Sequence, residues 1–253
     1  MTRDSNKSST VLKAFQVLET VANLPSPATA PDISKMANIE RVTTYRLLRT
    51  MEHAGYVEMD AETKTYRISR GMLALAKPVL NAGTDRFVIE RLLNVIAQRT
   101  GETCHYSELM GPETMLLQKA KGTQLVAVDF SIGNRGALHS TSVGKAIMAF
   151  QPDTVFDSYF ENELKKNTPK TCTDKDKMRA ELTVVKRTGV AFDFEELAEG
   201  MNCVAVPIVD PFGVVEAGIS ISGPSNRFTR KYLSELAKIM KEEVGKAALL
   251  PDL

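Results

Sequence analysis

The sequence predicts an α+β protein of two domains: a small helix-rich unit, then a larger unit in which helices and strands alternate irregularly. Three observations predict it. Residues 9–55 carry three stretches of helical periodicity, parted by "PSP" at 25–27 and by Asn38. Directly after them, "YVEMD" and "KTYRIS" alternate apolar and polar side chains around "AETK", the pattern of an antiparallel hairpin. Beyond "NAG" at 81–83, strand-like and helix-like segments follow without the regular repeat of a parallel βαβ sheet.

In "STVLKAFQVLETVANL", Val11, Phe15, Leu18 and Val21 or Ala22 recur at helical spacing, so an apolar face is expected there, with Ser8, Ser9 or Thr10 as the cap. Pro25 and Pro27 end this helix, because proline lacks an amide donor and restricts the residue before it. A second helix starts at "TAPDISKMA". Thr29 is placed to accept from a free amide, Pro31 fits the first turn, and Asp32 sits near the positive helix end. The third helix runs from about Arg41 to Ala54 and is stopped by Gly55. Its core face is Thr44, Leu47, Leu48 and Met51; Val42, Thr43, Arg46, Arg49 and Thr50 fall on the opposite face. Three short helices and a two-stranded hairpin make a winged helix-turn-helix, assigned to residues 1–72. "RGMLALAKPVLNAG" then predicts a linker helix over 73–83, with Pro78 as a kink.

The second unit, 84–253, is expected to hold strands at "ETCHYSEL", "ETMLLQKA", "LVAVDF", "NCVAVPIVD" and "GVVEAGISIS", the last two joined by a tight turn at "DPFG". Helices are expected at 87–99, 142–150, 175–187 and 230–248.

Composition narrows the function classes. The 253 residues are 43% hydrophobic and 25% charged, the balance of a globular protein with a packed core. No apolar run approaches the roughly 18 residues that span a bilayer, and "MTRDSNKSST" lacks the apolar stretch of a signal peptide, so a cytoplasmic protein without a membrane partner is expected. Cys104, Cys172 and Cys203 form no C-x-x-C pair and have no spaced histidine, which predicts reduced thiols and neither a metal site nor a cofactor. A net charge of +1 excludes a wholly basic coat for nucleic acid, yet Arg41, Arg46, Arg49, Lys64, Arg67 and Arg70 outnumber Glu52, Glu58, Asp60 and Glu62 across the third helix and hairpin.

That local excess acquires meaning from position. In a helix-turn-helix the last helix lies in the major groove of double-stranded DNA and side chains near its start meet base edges. Arg46 is suited to guanine or phosphate, Thr43 to phosphate or a thymine methyl, and Arg41 to phosphate at the helix start. Val42, Tyr45, Arg49 and Thr50 complete the helix face, and Lys64 and Arg67 on the hairpin are expected to touch the neighbouring backbone. The competing interpretation is a solvated face whose arginines serve solubility, or a winged helix that docks protein. In the second unit, the alternation of "SISG" sends Ser220 and Ser222 to one face and Ile219 and Ile221 to the other, so two hydroxyls line one surface. "SVGKA" puts small residues at a helix start, where amides are free for an anion. Without further context those serines are equally well exposed strand residues.

"TTYRLLRTMEHAGYV" and "KTYRISRGMLALA" resemble the recognition helix, wing and linker of the IclR family of bacterial transcriptional regulators. "TGETCHYSEL", "IGNRGALHSTSVGKAIMAF", "TPKTCTD" and "GVAFDFEELAEGMNCVAVPIVDPFGVVEAGISISGP" are similar to successive segments of that family's effector domain, so the resemblance covers nearly the whole chain. It implies a GAF-like or PAS-like second domain that binds a small organic acid, and a homodimer or dimer of dimers on a DNA operator. It also implies that Ser142, Val143, Asp193, Cys203, Ser220 and Ser222 line the effector cavity. Hydroxyls and helix-start amides would hold the carboxylate, Asp193 would meet a hydroxyl or protonated group, and Cys203 would form a small wall. Two departures stand out: Glu40 where the family often has Ser or Thr, and "STSVG" where "ATALG" is commoner, which makes Ser140 and Ser142 extra polar groups for the pocket.

An enzymatic alternative would use Cys203 with His105 or His139 as a cysteine hydrolase. It requires a base within reach of the thiol. Gly144-Lys145 imitates the end of a phosphate-binding loop, but Ala146 stands where Ser or Thr is required, which removes nucleotide binding.

Overall fold

The computed structural model describes residues 7–75, 84–209 and 214–247, with backbone alone for 84–86. The chain divides into two compact units, residues 1–83 and 84–253.

In the first unit, α1 (Ser9–Ala22) is capped by the Ser8 hydroxyl, which accepts from the Val11 amide. α2 (Ala30–Ala37) ends at Asn38, whose left-handed φ of 51° lets the chain turn at once into α3 (Arg41–His53). Ser34 and Thr44 donate to the Ile39 carbonyl at 2.6 and 3.3 Å, and Gln16 donates to the Ala37 carbonyl at 2.7 Å, so side chains satisfy the backbone of the tight turn. Val17, Val21, Ile33, Leu48, Val57 and Tyr66 form the core between the three helices and the sheet.

Three expectations need correction here. The buried stripe of α1 is Val17 and Val21 with Ala14 and Leu18 beside them, whereas Val11 and Phe15 are exposed. The helix is apolar on more than one face, and spacing alone does not choose which meets the core. Thr29 caps nothing; its hydroxyl donates to Asp32 at 2.5 Å instead. The wing has three strands: β1 (Ala28–Thr29) joins β2 (Val57–Met59) and β3 (Thr65–Ile68) in the order β1-β3-β2. Of the expected linker helix only the start is described, and residues 72–75 are helical; the rest of it, with the Pro78 kink, lies outside the described residues.

The second unit is an antiparallel sheet of order β6-β5-β4-β9-β8-β7 with helices on both faces. Its elements in chain order are α4 (Thr84–Thr100), β4 (Cys104–Met110), β5 (Glu113–Ala120), β6 (Arg135–Ala137), α5 (Ser142–Met148), α6 (Asp153–Phe160), α7 (Lys175–Thr188), β7 (Ala191–Phe194), β8 (Met201–Val209), β9 (Val215–Pro224) and α8 (Arg230–Lys246). Strand period two divides the sheet cleanly. Cys104, Tyr106, Val204, Val206, Ile219 and Ile221 face α4 and α8 in one core; Cys203, Ala205, Ser220 and Ser222 face the other way, where α5, α6 and α7 build a second core around Ile147, Phe156 and Met178. α5 lies close on β9 because Gly218 has no side chain: a Cβ there would come within 2.9 Å of Val143 and 3.0 Å of the Val206 carbonyl.

"LVAVDF" is not a strand. It is irregular, with Leu125 fully exposed and Val126 67% exposed, and side chains rather than a partner strand bond two of its carbonyls. Arg227 donates to the Val126 carbonyl at 2.7 Å and Lys119 to the Phe130 carbonyl at 2.8 Å. β6, β7 and α6 were not anticipated. The expected "DPFG" turn lies outside the described residues.

Candidate functional sites

α3 is held by burial of Thr44, Leu48 and Met51, with Leu47 half-buried, which turns the other side of the helix outward. Arg41, Val42, Tyr45, Arg46, Arg49 and Thr50 are exposed and Thr43 is half-buried. Among the described residues Arg41, Arg46 and Lys64 make no ion pair, whereas Arg49 is paired with Glu52 at 2.9 Å and Arg67 with Glu58 across the hairpin at 2.5 Å. The Thr50 hydroxyl donates to the Arg46 carbonyl at 2.8 Å. Glu40 occupies the N-cap position without capping, and accepts instead from the Thr43 hydroxyl at 3.1 Å. Lys64 stands at the tip of the wing with a left-handed φ of 58°, in a turn where Asp60 accepts from the amides of Glu62 and Thr63. Free amides at the start of α3, unpaired guanidinium groups on its exposed side and the lysine at the wing tip are donors suited to an anion.

The second unit contains a cavity of about 340 Å³ on the α5 face of the sheet. Ser142, Val143, Asp193, Cys203, Ser220 and Ser222 all line it. Strand register explains why residues so distant in sequence meet: Asp193 is opposite Cys203, and Cys203 is opposite Ser222, so one rung crosses β7, β8 and β9. Ser220 lies on the next rung of the same face, opposite Ala205 and His105. Thr141 caps α5 by accepting from the Gly144 amide at 3.0 Å, which directs Ser142 and Val143 at the cavity. Ser140 does not line it; that side chain is fully buried and accepts from Asn167 at 3.1 Å.

Asp193 is fully buried and its Oδ1 accepts from the amides of Glu196 and Leu197 at 2.7 and 3.4 Å, while Oδ2 has no partner among the described residues. Burial raises its carboxyl to about 6, against the opposing effects of the Glu196 amide and the Lys145 charge. Thr168 and Thr171 each donate at 2.7 Å to the carbonyls of Glu195 and Glu196, fixing the turn behind Asp193. Lys145, fully buried, bonds Glu181 at 2.7 Å and Glu196 at 2.6 Å. Burial opposes its charge, but the two carboxylates outweigh that and raise its pKa. Nothing in the sequence pattern marked this residue beyond its chance likeness to a phosphate loop.

Burial pushes the Cys203 thiol well above its ordinary value, and the charge of Asp193 adds to that. His139 is engaged elsewhere, with Nδ1 on the Tyr159 hydroxyl at 2.7 Å and Nε2 on the Lys165 carbonyl at 3.0 Å. His105 lines the cavity but makes no hydrogen bond to the thiol. Among the described residues Cys203 thus has no imidazole hydrogen-bonded to its thiol. Among the described residues no cluster of His, Cys, Asp or Glu could hold a metal ion, and no helix is long and apolar enough to cross a membrane.

Two cavity residues with readable signals were missed. His105 and Ser107 alternate with Cys104 and Tyr106, which face the opposite core, so the pattern of "CHYS" already assigned them to the face of Ser220.

Residues 10–61 match the family described as "IclR helix-turn-helix domain", and residues 86–248 match "Bacterial transcriptional regulator IclR C-terminal". The HTH-type transcriptional regulator KdgR of Escherichia coli (strain K12) is 30% identical over 234 residues, covering 92% of this chain and 88% of the relative. Among solved structures, the IclR protein of Thermotoga maritima superposes with a TM-score of 0.73 at 31% identity, over 94% of this chain and 97% of that one. An IclR homologue from Microbacterium hydrocarbonoxydans, complexed with 4-hydroxybenzoate, shares the fold with a TM-score of 0.75 at 23% identity, over 94% of this chain and all of that one. With a DNA-binding helix-turn-helix unit followed by an effector-binding α+β unit, and with both family descriptions matched in that order, the chain belongs to the IclR family of bacterial transcriptional regulators.

Proposed function

We propose that residues 1–72 bind an operator through Arg41, Val42, Thr43, Tyr45, Arg46, Arg49, Thr50, Lys64 and Arg67, that residues 73–83 link the units, and that residues 84–253 bind a small organic acid and assemble the protein as a homodimer or dimer of dimers. Acting on DNA, it works in the cytoplasm, and its role is regulatory rather than catalytic. One observation carries the acid reading: Ser142, Ser220 and Ser222, donors suited to a carboxylate, line one cavity together with Asp193 and Cys203. That a homologue is crystallised with 4-hydroxybenzoate supports the class of ligand. The acid regulates by preferring one of the DNA-competent and DNA-incompetent states, and such couplings are typically about 1–3 kcal/mol.

The test is a thermal-shift screen of small carboxylates, followed by titration of operator binding with each hit. An acid at a hundred times its dissociation constant stabilises the native state by about 2.7 kcal/mol. Ser220→Ala combined with Ser222→Ala is expected to abolish the shift and the effect on DNA while leaving operator affinity intact. An unaltered effector titration would remove the serines from the site.

A further inference from the structure

His105 is 2% exposed, lines the cavity, and has no hydrogen-bond partner at either ring nitrogen among the described residues. Buried polar atoms are rarely left unmade in folded proteins, and two of them on one cavity-lining side chain call for a partner that a ligand can supply. Its position is specific. On β4 it stands directly opposite Ser220 of β9, so a ligand held at Ser220 has the imidazole within one strand spacing. Phe130 packs on the ring with centroids 5.5 Å apart and limits how it can turn.

The protonation state decides what the ring can recognise. Burial, with a contribution from Lys119, pushes its pKa down to about 4 against the pull of Asp129, so the imidazole is neutral at ordinary pH. A neutral imidazole presents one N–H donor and one acceptor nitrogen. A carboxylate satisfies only the donor, and a hydrocarbon edge satisfies neither. Hydroxyl groups satisfy both. Across the same face, Asp193 Oδ2 is also unpartnered, so orphaned polar atoms lie on β4 and on β7 with the two serines of β9 between them.

We propose that His105 is a specificity-determining residue of the effector site, and that it selects a hydroxylated aliphatic acid by hydrogen-bonding hydroxyl groups on the chain that carries the carboxylate. The proposal rests on the organic-acid reading above and narrows it. Ser220 and Ser222 hold the carboxylate, His105 reads the hydroxyls on the β4 side, and Asp193 takes another on the β7 side. The unhydroxylated acid of equal length leaves these buried groups unmade, which is why discrimination against it is large.

The experiment is calorimetric titration of the full chain with matched acids, such as lactate against propionate and gluconate against hexanoate, within a panel of short aliphatic hydroxy acids and their deoxygenated counterparts. In the wild-type protein the best hydroxylated acid is expected to bind at least about tenfold tighter than its counterpart. His105→Leu is expected to bring that ratio close to unity with operator binding retained, and His105→Gln, which keeps a donor and an acceptor, to preserve most of it. Equal binding within every wild-type pair, or a ratio unchanged by His105→Leu, overturns the assignment. If His105→Leu does not fold, His105→Phe, which keeps a ring against Phe130 and removes both nitrogens, takes its place with the same expected ratio near unity. Equal binding within pairs that still vanishes in Ser220→Ala with Ser222→Ala sinks only the role of His105; no acid of this panel binding overturns the aliphatic hydroxy-acid assignment, and the organic-acid reading itself falls only if no carboxylate of the wider thermal-shift screen binds either.

Discussion

The outer face of α3 and the cavity beside α5 use the same kinds of side chain under opposite solvation. Arg41 and Arg46 are exposed and make no ion pair among the described residues, while Lys145 is fully buried between Glu181 and Glu196. Thr43 and Thr50 spend their hydroxyls on nearby groups at a water-washed surface, while Ser220 and Ser222 are buried where they line the cavity. In water a charged group contributes little to the fold, with surface pairs worth about 0–1 kcal/mol, so the α3 face is free to be selected for what it meets. Out of water each polar group must be partnered, which ties the cavity's composition to the stability of the unit around it.

The largest expected effect tests the buried side of that contrast. Lys145→Met leaves the nearly buried Glu196 without its counter-ion, and chemical denaturation should show a loss of about 3–5 kcal/mol. A loss below about 1 kcal/mol would mean that Glu196 rehydrates and that the two regions differ less than their burial suggests.

Next comes pH. The folded-state pKa of Asp193, about 6, lies above its unfolded value near 3.8, so the native state holds this proton where the unfolded chain has lost it. The associated stability is fully present below about pH 4 and is lost as pH rises through 6. Asp193→Asn removes the dependence. Urea denaturation across this window should find variant and wild type converging at low pH, with the variant gaining up to roughly 3 kcal/mol above pH 6.

On the exposed side, Arg46→Ala should weaken specific operator binding by about 1–3 kcal/mol, read by fluorescence anisotropy, with stability changed by no more than about 0.5 kcal/mol. Unchanged affinity would take Arg46 out of the interface. The smallest effect concerns Glu40, which holds the N-cap position of α3 without capping it. Glu40→Ser supplies a cap oxygen and removes a negative charge from the helix start, so a gain of about 0.5–1 kcal/mol in thermal unfolding and tighter DNA binding are expected. A loss of either would show that the Glu40–Thr43 contact matters more than the cap.

Legibility followed locality. α2, α3 and the hairpin were readable because their signals are short-range: Pro31, Asn38, Gly55 and a period-two run on either side of a turn. The split between Ser220/Ser222 and Ile219/Ile221 was readable for the same reason, since strand alternation needs no partner to be known. "LVAVDF" failed because alternation makes a strand only where an edge is available to pair with, and here Arg227 and Lys119 take the carbonyls. α1 failed in detail because Val11 and Phe15 are as apolar as Val17 and Val21, and the choice between faces belongs to α2 and α3.

By itself, then, the sequence determined the helices and hairpin of the first unit, the outward face of α3 and the parity of the strands, all consequences of dihedral preference and residue spacing. The tertiary structure alone decided that Asp193, Cys203 and Ser222 share a rung, that Lys145 is buried between carboxylates 36 and 51 positions away, and that both ring nitrogens of His105 are buried without a partner among the described residues. These depend on register and burial, and both arise only when distant strands pair and water is driven from between them.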